Sequence, residues 1–287
     1  MERRTFGATD LSVSVVGLGG GSLRGLSSED GERLIHHAID LGINLIDTAP
    51  SYGRSEHIIG RAVRDRREEV VLSTKVGYGV PGILDWTPKA VSAGIDLARD
   101  RLAVDCIDVV HLHSCPTSVL LDSGVTEALF EARGRGKIQC AAYSGDGHEL
   151  YVATDLGFDG VQATLSVVDQ HNRPTLDLAR KNGQGVLAKR SLANAPWRFR
   201  EPPDAPDVRE NYRRYKRLGL EVPEPAGVFI RWVIHHAGVD AALVGTSSVL
   251  RLQAAAKAAE RGPLDSDILS RVETAWKTHG SDWTPLV

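Results

Sequence analysis

Four side chains that can hold or transfer a proton stand at or just after the ends of apolar runs in this chain. Asp47 and Lys75 each end such a run, His113 ends a third, and Tyr52 follows Asp47 in a turn rich in proline and glycine. A charge at the end of a buried strand is costly unless it has a partner or a task. If these strands are parallel, their carboxyl ends meet on one face, where parallel α/β folds bind ligands and do chemistry.

Strand-like and helix-like segments alternate along the chain and would position these side chains. Strands are predicted at 13–18, 44–47, 70–75, 108–112, 138–143, 160–164, 185–189 and 241–245. Helices are predicted at 27–41, 55–64, 88–101, 123–133, 148–156, 174–182, 225–236 and 249–260. Several strands are apolar without alternation, which is typical of a parallel sheet covered on both faces. The pattern predicts a single α/β domain over 1–287, a closed (β/α)8 TIM barrel, with an open doubly wound sheet as the alternative.

Two segments lie outside this repeat. Residues 1–12 are predicted to form a small hairpin lid before the first strand. Residues 191–224 are rich in proline and are predicted to be a long irregular loop after strand seven, on the catalytic face. This loop carries Trp197 and Phe199, which are candidate walls of a substrate pocket together with Tyr78, Trp86 and Cys115.

Composition argues against several classes of protein. The formal net charge is -3 and no block of like charge occurs, so a nucleic-acid partner is not expected. No apolar run approaches the roughly 18 residues of a membrane span, and the first residues lack the apolar core of a secretory signal. The three cysteines form no CxxC pair. A cytoplasmic protein without disulfides is therefore expected. The sequence does not fix the oligomeric state.

In their order and spacing, several sequence segments of this chain resemble those of the aldo-keto reductases, and the resemblance extends over nearly the whole chain. The segments that carry the resemblance are 4–19, 42–60, 72–75 and 108–113. The resemblance implies a (β/α)8 barrel and a nicotinamide cofactor bound without a Rossmann domain. It also implies an NAD(P)H-dependent oxidoreductase that reduces an aldehyde or ketone to an alcohol. A monomer or a weak homo-oligomer is implied in the same way.

The same resemblance gives the four side chains their roles. Tyr52 would supply the proton to the developing alkoxide after hydride transfer from the nicotinamide. A free phenol has a pKa of about 10, and a nearby Lys75 would lower the pKa of Tyr52. Asp47 would hold Lys75 in its charged form, and His113 would orient the substrate carbonyl.

Cofactor contacts are implied at the ends of several strands. The residues concerned are Gly20, Gly21, Asp47, Ser144, Gly145, Gln162, Lys189, Gly245, Thr246, Ser247 and Arg251. Two of them depart from the family pattern. Gly145 stands where an asparagine usually holds the carboxamide, and Lys189 stands where an aromatic ring usually stacks on the nicotinamide. Arg251 could bind a 2′-phosphate, so NADPH is favoured over NADH.

Rival interpretations remain open at this point. The pair His111 and His113 would face the same side of one strand, as in metal-dependent barrel hydrolases, but further ligands are hard to find and no metal is predicted. The glycines at 17–21 miss the spacing of a Rossmann fingerprint. Within the family, an NAD-dependent sugar or alcohol dehydrogenase and a catalytically weak, cofactor-binding regulatory protein are the alternatives.

Overall fold

The computed structural model describes residues 1–236 and 238–285, in which a short hairpin precedes a closed barrel of parallel strands. The hairpin strands are β1 (Arg3–Thr5) and β2 (Ser12–Ser14). The barrel strands, in chain order, are β3 (Val16–Gly19), β4 (Leu45–Asp47), β5 (Val71–Val76), β6 (Ile107–His113), β7 (Ile138–Ser144), β8 (Gly160–Thr164), β9 (Gly185–Lys189) and β10 (Ala241–Val244). β10 pairs with β3 and closes the barrel, so the (β/α)8 prediction is confirmed and the doubly wound alternative is wrong.

Helices follow the strands and cover the outside of the barrel. They are α1 (Ser28–Asp40), α2 (Ser55–Ala62), α3 (Pro88–Leu102), α4 (Thr117–Asp122), α5 (Val125–Gly134), α6 (Gly147–Ala153), α7 (Arg173–Lys181), α8 (Pro206–Leu218), α9 (Pro225–Ile234), α10 (Val249–Ala259) and α11 (Ser266–His279). The local sequence explains their starts. The Thr87 hydroxyl accepts a hydrogen bond from the backbone N–H of Ala90 at 3.1 Å, and Pro88 occupies the first position of α3. Of the helices described, none is long and apolar enough to cross a membrane.

The hairpin closes the end of the barrel opposite the carboxyl ends of the strands. A Cβ added at Gly160 or Gly185, the first residues of β8 and β9, would lie 2.1 or 2.2 Å from the ring of Phe6. Phe6 is fully buried and packs with barrel side chains such as Leu45 and Leu187. The predicted strand 13–18 is in fact two strands, the second of the hairpin and the first of the barrel.

The segment after β9 differs most from its prediction. Residues 191–224 are not irregular throughout, because they contain α8. Its Pro206 stands at the first helical position, where proline is favoured, and its many charged residues hide the periodicity of the buried Tyr212 and Leu218. The predicted helices also omit α4 and α11.

Candidate active site

A cavity of about 750 Å³ opens at the carboxyl ends of the barrel strands. Its walls include Asp47, Tyr52, Lys75 and His113, the four side chains predicted to be catalytic. β4, β5 and β6 are neighbours in the barrel, which brings the ends of these strands together. The structure therefore places the four groups around one space.

Lys75 is completely engaged by its neighbours. Its ammonium donates to both carboxylate oxygens of Asp47, at 2.8 and 2.7 Å, and to the backbone carbonyl of Thr48 at 2.8 Å. The lysine side chain is only 1% exposed. An ammonium has three N–H donors, so these contacts use all of them and leave none for the hydroxyl of Tyr52.

Asp47 receives further hydrogen bonds from both sides. The Ser73 hydroxyl and the Gln162 side-chain amide each donate to its Oδ1 at 2.8 Å. Burial alone would raise the pKa of the Asp47 carboxyl, but the charge of Lys75 and the hydrogen bonds from Lys75 and Gln162 hold that pKa below its ordinary value. Asp47 is thus a fixed negative charge at neutral pH.

The electrostatics of Tyr52 differ from the expectation based on Lys75 alone. The ammonium of Lys75 lies 5.6 Å from the centre of the Tyr52 ring. Burial, followed by the charge of Asp47, raises the pKa of Tyr52 above the usual value for a phenol. The expected lowering is wrong for this arrangement, because burial of the phenol dominates and the charge of Asp47 adds to it. Tyr52 is therefore a protonated phenol at neutral pH.

His113 is a neutral imidazole that lines the cavity. Burial, then the charges of Lys75 and Lys189, lowers its pKa to about 3. Its Nδ1 lies 2.6 Å from the hydroxyl of Tyr78. His111 on the same strand is fully buried, and its Nε2 lies 3.0 Å from the hydroxyl of Ser73. It packs behind the site. Among the described residues, no group of three or more His, Cys, Asp or Glu side chains could hold a metal ion.

A second ion pair, between Lys189 and Asp146, lies on the opposite wall of the cavity and is not predicted from the sequence. The ammonium of Lys189 lies 3.0 Å from Oδ2 of Asp146, and the lysine side chain is 18% exposed. Oδ1 of Asp146 accepts from the backbone N–H of Thr164 at 2.6 Å and from the Asn172 side chain at 2.8 Å. Burial lowers the pKa of Lys189, although Asp146 opposes the shift. The signal in the sequence was an acid directly after the turn that ends β7.

The residues expected to hold a carboxamide lie at different depths. Gln162 lines the cavity, whereas Ser144 is fully buried and donates to Oε1 of Gln162 at 3.2 Å. A Cβ added at Gly145 would lie 2.4 Å from the hydroxyl of Tyr143. That hydroxyl donates to the carbonyl of Cys115 at 3.1 Å. The Tyr143 ring therefore occupies the space that a larger residue at 145 would need.

The two glycines of the first βα turn have different surroundings. Gly21 lines the cavity, and a Cβ there would meet only the Tyr52 ring, at 3.8 Å. A Cβ at Gly20 would lie 2.6 Å from the Ser55 hydroxyl and 2.8 Å from the carbonyl of Asp47. Gly20 is thus needed for packing between the turn and the next unit, and only Gly21 is placed to approach a cofactor.

The far wall of the cavity is built by the start of α10. Gly245, Thr246 and Arg251 line it, whereas Ser247 is exposed beside it. A Cβ at Gly245 would meet only the carbonyl of Gly19, at 3.9 Å, so the backbone there is open to the cavity. The N-terminus of a helix favours a phosphate. The lining cations also include Arg198, so this wall fits the phosphates of a dinucleotide.

Aromatic side chains bound the outer part of the cavity. Trp197 and Phe199 both line it, as predicted. The Trp197 ring packs edge-on against Phe229, with ring centres 4.9 Å apart. The other predicted walls lie elsewhere. Tyr78 and Trp86 stand behind His113, and the buried Cys115 packs under Tyr143.

Comparison with known proteins agrees with this geometry. Residues 15–277 match the model of the aldo/keto reductase family. The chain is 28% identical over 303 residues to L-galactose dehydrogenase of Arabidopsis thaliana, covering 95% of this chain and 93% of that protein. It is 30% identical over 211 residues to the NADH-specific methylglyoxal reductase of Escherichia coli, covering 64% and 65%. The solved aldo-keto reductase AKR11C1 of Bacillus halodurans shares the fold, with a TM-score of 0.82, 24% identity and 96% of each chain covered.

Proposed function

Because this chain belongs to the aldo/keto reductase family, we propose that it reduces an aldehyde or ketone to an alcohol with a reduced nicotinamide cofactor. The observation that carries the proposal is the convergence of Asp47, Tyr52, Lys75 and His113 on one cavity. The phenol and the neutral imidazole are the two groups of this set whose protons are not held by an ion pair. They are therefore suited to contact a carbonyl oxygen.

Each side chain has a separate task in this reaction. A bound reduced nicotinamide would supply a hydride to the carbonyl carbon. Tyr52 gives its proton to the oxygen as negative charge develops there, and the phenolate regains a proton from water. Its raised pKa keeps the proton in place until then. Asp47 holds Lys75 in position, and the ammonium, 5.6 Å from the centre of the Tyr52 ring, offsets the negative charge that Asp47 presents to the phenolate.

NADPH is the cofactor that we favour over NADH. Arg251 lines the cavity close to the start of α10 and is exposed, which leaves its guanidinium accessible to a 2′-phosphate. The N-terminus of α10 and the open backbone at Gly245 suit the pyrophosphate. The relative from Escherichia coli is NADH-specific by name, so both cofactors belong in the test.

The test combines cofactor binding with turnover. Tryptophan fluorescence is titrated with NADPH and with NADH, and oxidation of the better ligand is then followed with a panel of aldehydes and ketones. Tyr52→Phe should bind the cofactor as the native protein does and lose about 10²–10⁴-fold in kcat. Arg251→Ala should weaken NADPH binding and leave NADH binding unchanged. Normal turnover by Tyr52→Phe would contradict the proposed proton donor.

The reverse reaction is the second candidate. The relative from Arabidopsis thaliana is named as a dehydrogenase that acts on L-galactose and matches along almost its whole length. Oxidation of sugars and simple alcohols with NAD⁺ and NADP⁺ should therefore be measured on the same preparation. A higher kcat/KM for an alcohol than for every carbonyl would favour the dehydrogenase. Cofactor binding without turnover in either direction would favour a regulatory protein.

A further inference from the structure

The hydroxyl of a second tyrosine, Tyr78, contacts one ring nitrogen of His113, the imidazole that lines the cavity. The hydroxyl of Tyr78 lies 2.6 Å from Nδ1 of His113 and 2.9 Å from the hydroxyl of Ser51. The rings of Tyr78 and His113 are tilted, with centres 5.4 Å apart. The three groups therefore form a chain of hydrogen bonds that ends at the imidazole on the cavity wall.

The chemistry of the groups gives this chain a direction. A neutral imidazole carries one proton, and the hydrogen bond at one nitrogen decides which nitrogen holds it. A phenol is a more acidic donor than a serine hydroxyl, and an unprotonated imidazole nitrogen is the stronger of the two available acceptors. The favoured arrangement has the Tyr78 O–H turned to Nδ1 instead of to Ser51 Oγ, whose own O–H can then donate to the Tyr78 oxygen. The single proton of His113 is then left on Nε2.

The protein holds Tyr78 in place by a closed loop of backbone. The N–H of Trp86 donates to the carbonyl of Gly77 at 2.6 Å, and that of Gly79 donates to the Asp85 carboxylate at 2.9 Å. Trp86 adopts a φ of 58°, and its ring lies where a Cβ at Gly77 would be, 2.2 Å away. Positive φ is strained at a tryptophan, so the surrounding structure must enforce this loop. Its result is a fixed Tyr78 ring beside Trp86, with centres 5.9 Å apart.

We propose that Tyr78 is a positioning residue that sets the tautomer and orientation of His113, so that Nε2–H donates to the oxygen of a bound carbonyl. The wrong tautomer would present a lone pair to that oxygen and repel it. The consequence for catalysis rests on the proposed function. The tautomer itself is a property of the free protein and can be measured without any substrate.

The decisive measurement is the tautomer of His113 in the native protein. Protein labelled with ¹⁵N-histidine is examined at pH 7 by long-range ¹H–¹⁵N correlation, with His113 assigned from the signals lost in His113→Gln. We expect the Nε2–H tautomer, with an Nδ1 shift that moves in Tyr78→Phe when the hydrogen bond is removed. A native protein with the proton on Nδ1 would overturn the proposal. This result does not depend on whether the protein turns over a carbonyl.

Kinetics then test whether Tyr78 acts through His113. Tyr78→Phe should lower kcat/KM for the best carbonyl by about 10–100-fold, the size of effect that supporting residues around catalytic groups have. In a His113→Gln background the same change should cost less than about twofold, because the partner of Tyr78 is gone. Equal losses in both backgrounds would refute the link. Tyr151→Phe, a change at a half-exposed surface tyrosine, is the matched control and should leave kcat/KM unchanged.

Discussion

Two aspartate–lysine pairs face each other across the same cavity, and they differ in how completely the lysine is held. Lys75 has three acceptors and is 1% exposed. Lys189 pairs with Asp146 and keeps 18% of its side chain exposed. Within the described chain, its ammonium has no other hydrogen-bonding partner. The first pair is a fixed charge next to the reacting phenol, whereas the second leaves a cation that can still turn toward a ligand.

The acids of the two pairs do not show this contrast. Asp47 is supported by Ser73 and Gln162, side chains that are themselves part of the barrel interior. Asp146 is supported by Asn172 and by a backbone N–H. Both carboxylates are thus satisfied by several donors, and the difference lies in the lysines. Lys75 is therefore fixed on one wall of the cavity, whereas the ammonium of Lys189 on the other wall can change partners.

The largest effect is expected from breaking the fixed pair. Asp47→Asn leaves the Lys75 ammonium buried with no countercharge and should lower the free energy of unfolding by about 3–5 kcal/mol. It should also lower the pKa of Tyr52, because the charge of Asp47 is one of the causes that raise it. Urea unfolding measures the first effect and ultraviolet titration of tyrosine the second. Unfolding free energies equal to that of the native protein would mean that Lys75 is not held as described.

A smaller loss is expected from Asp146→Asn. Lys189 can reach solvent through the cavity, so the change should cost about 1–3 kcal/mol, mainly from the lost countercharge of Lys189, because the asparagine Oδ1 can still accept from Thr164 and Asn172. The matched control is Asp96→Asn, which breaks the more exposed pair with Lys137 on the surface and should cost less than about 1 kcal/mol. If the losses at Asp47 and Asp146 were equal in urea unfolding, the two pairs would not differ in the way proposed.

The third prediction uses the pKa of Lys189, which burial holds below 10.5. Between the folded pKa and 10.5 the unfolded chain binds more protons at this lysine than the folded protein does. Stability therefore rises with pH in that window and the cost of burying the charged form disappears. Lys189→Met should lose this rise in urea unfolding measured from pH 7 to 10, whereas Lys137→Met should keep it. If the stability of the native protein depended on pH in the same way as that of Lys189→Met, the lowered pKa of Lys189 would be refuted.

The smallest effect concerns His113. Burial is the largest cause of its pKa of about 3, and the charge of Lys189 is a lesser one. Lys189→Met should therefore raise the pKa of His113 while leaving it below 6.5, as read by NMR titration. In the native protein, His113 should show no ionisation between pH 5 and 8. A titration of His113 in that range would show that the imidazole is far less buried than described.

The Asp47–Lys75 pair could be predicted from the sequence and the Asp146–Lys189 pair could not, because the partners lie differently along the chain. Asp47, Lys75 and His113 end three consecutive strands, so their meeting follows from the barrel topology alone. Lys189 ends β9, whereas Asp146 follows β7, and β8 lies between these two strands. Their contact depends on side-chain length and on Asn172, which no periodicity indicates. The raised pKa of Tyr52 also depends on packing, because sequence gives the charges of Lys75 and Asp47 but not the burial of the phenol, which is the largest cause.

The elements show the same division. Strands and helices with apolar periodicity were placed within a few residues, as for the helix that begins after Thr87. The sequence predicts a loop where the helix Pro206–Leu218 lies, because the prolines and charges of this segment conceal a narrow buried face. The hairpin was foreseen, but its position at the closed end of the barrel depends on how Phe6 packs against Gly160 and Gly185.

The ring of Tyr143 makes the side chain that is tolerated at position 145 depend on the residue at position 143. An asparagine introduced at Gly145 would bring its Cβ to 2.4 Å from the Tyr143 hydroxyl, and that ring is buried and anchored on Cys115. A lineage that exchanges these residues must therefore first accept a smaller side chain at 143. The order of the two steps is constrained, and reversing one without the other passes through a less stable protein. A larger side chain at 145 is thus tolerated only where residue 143 is smaller.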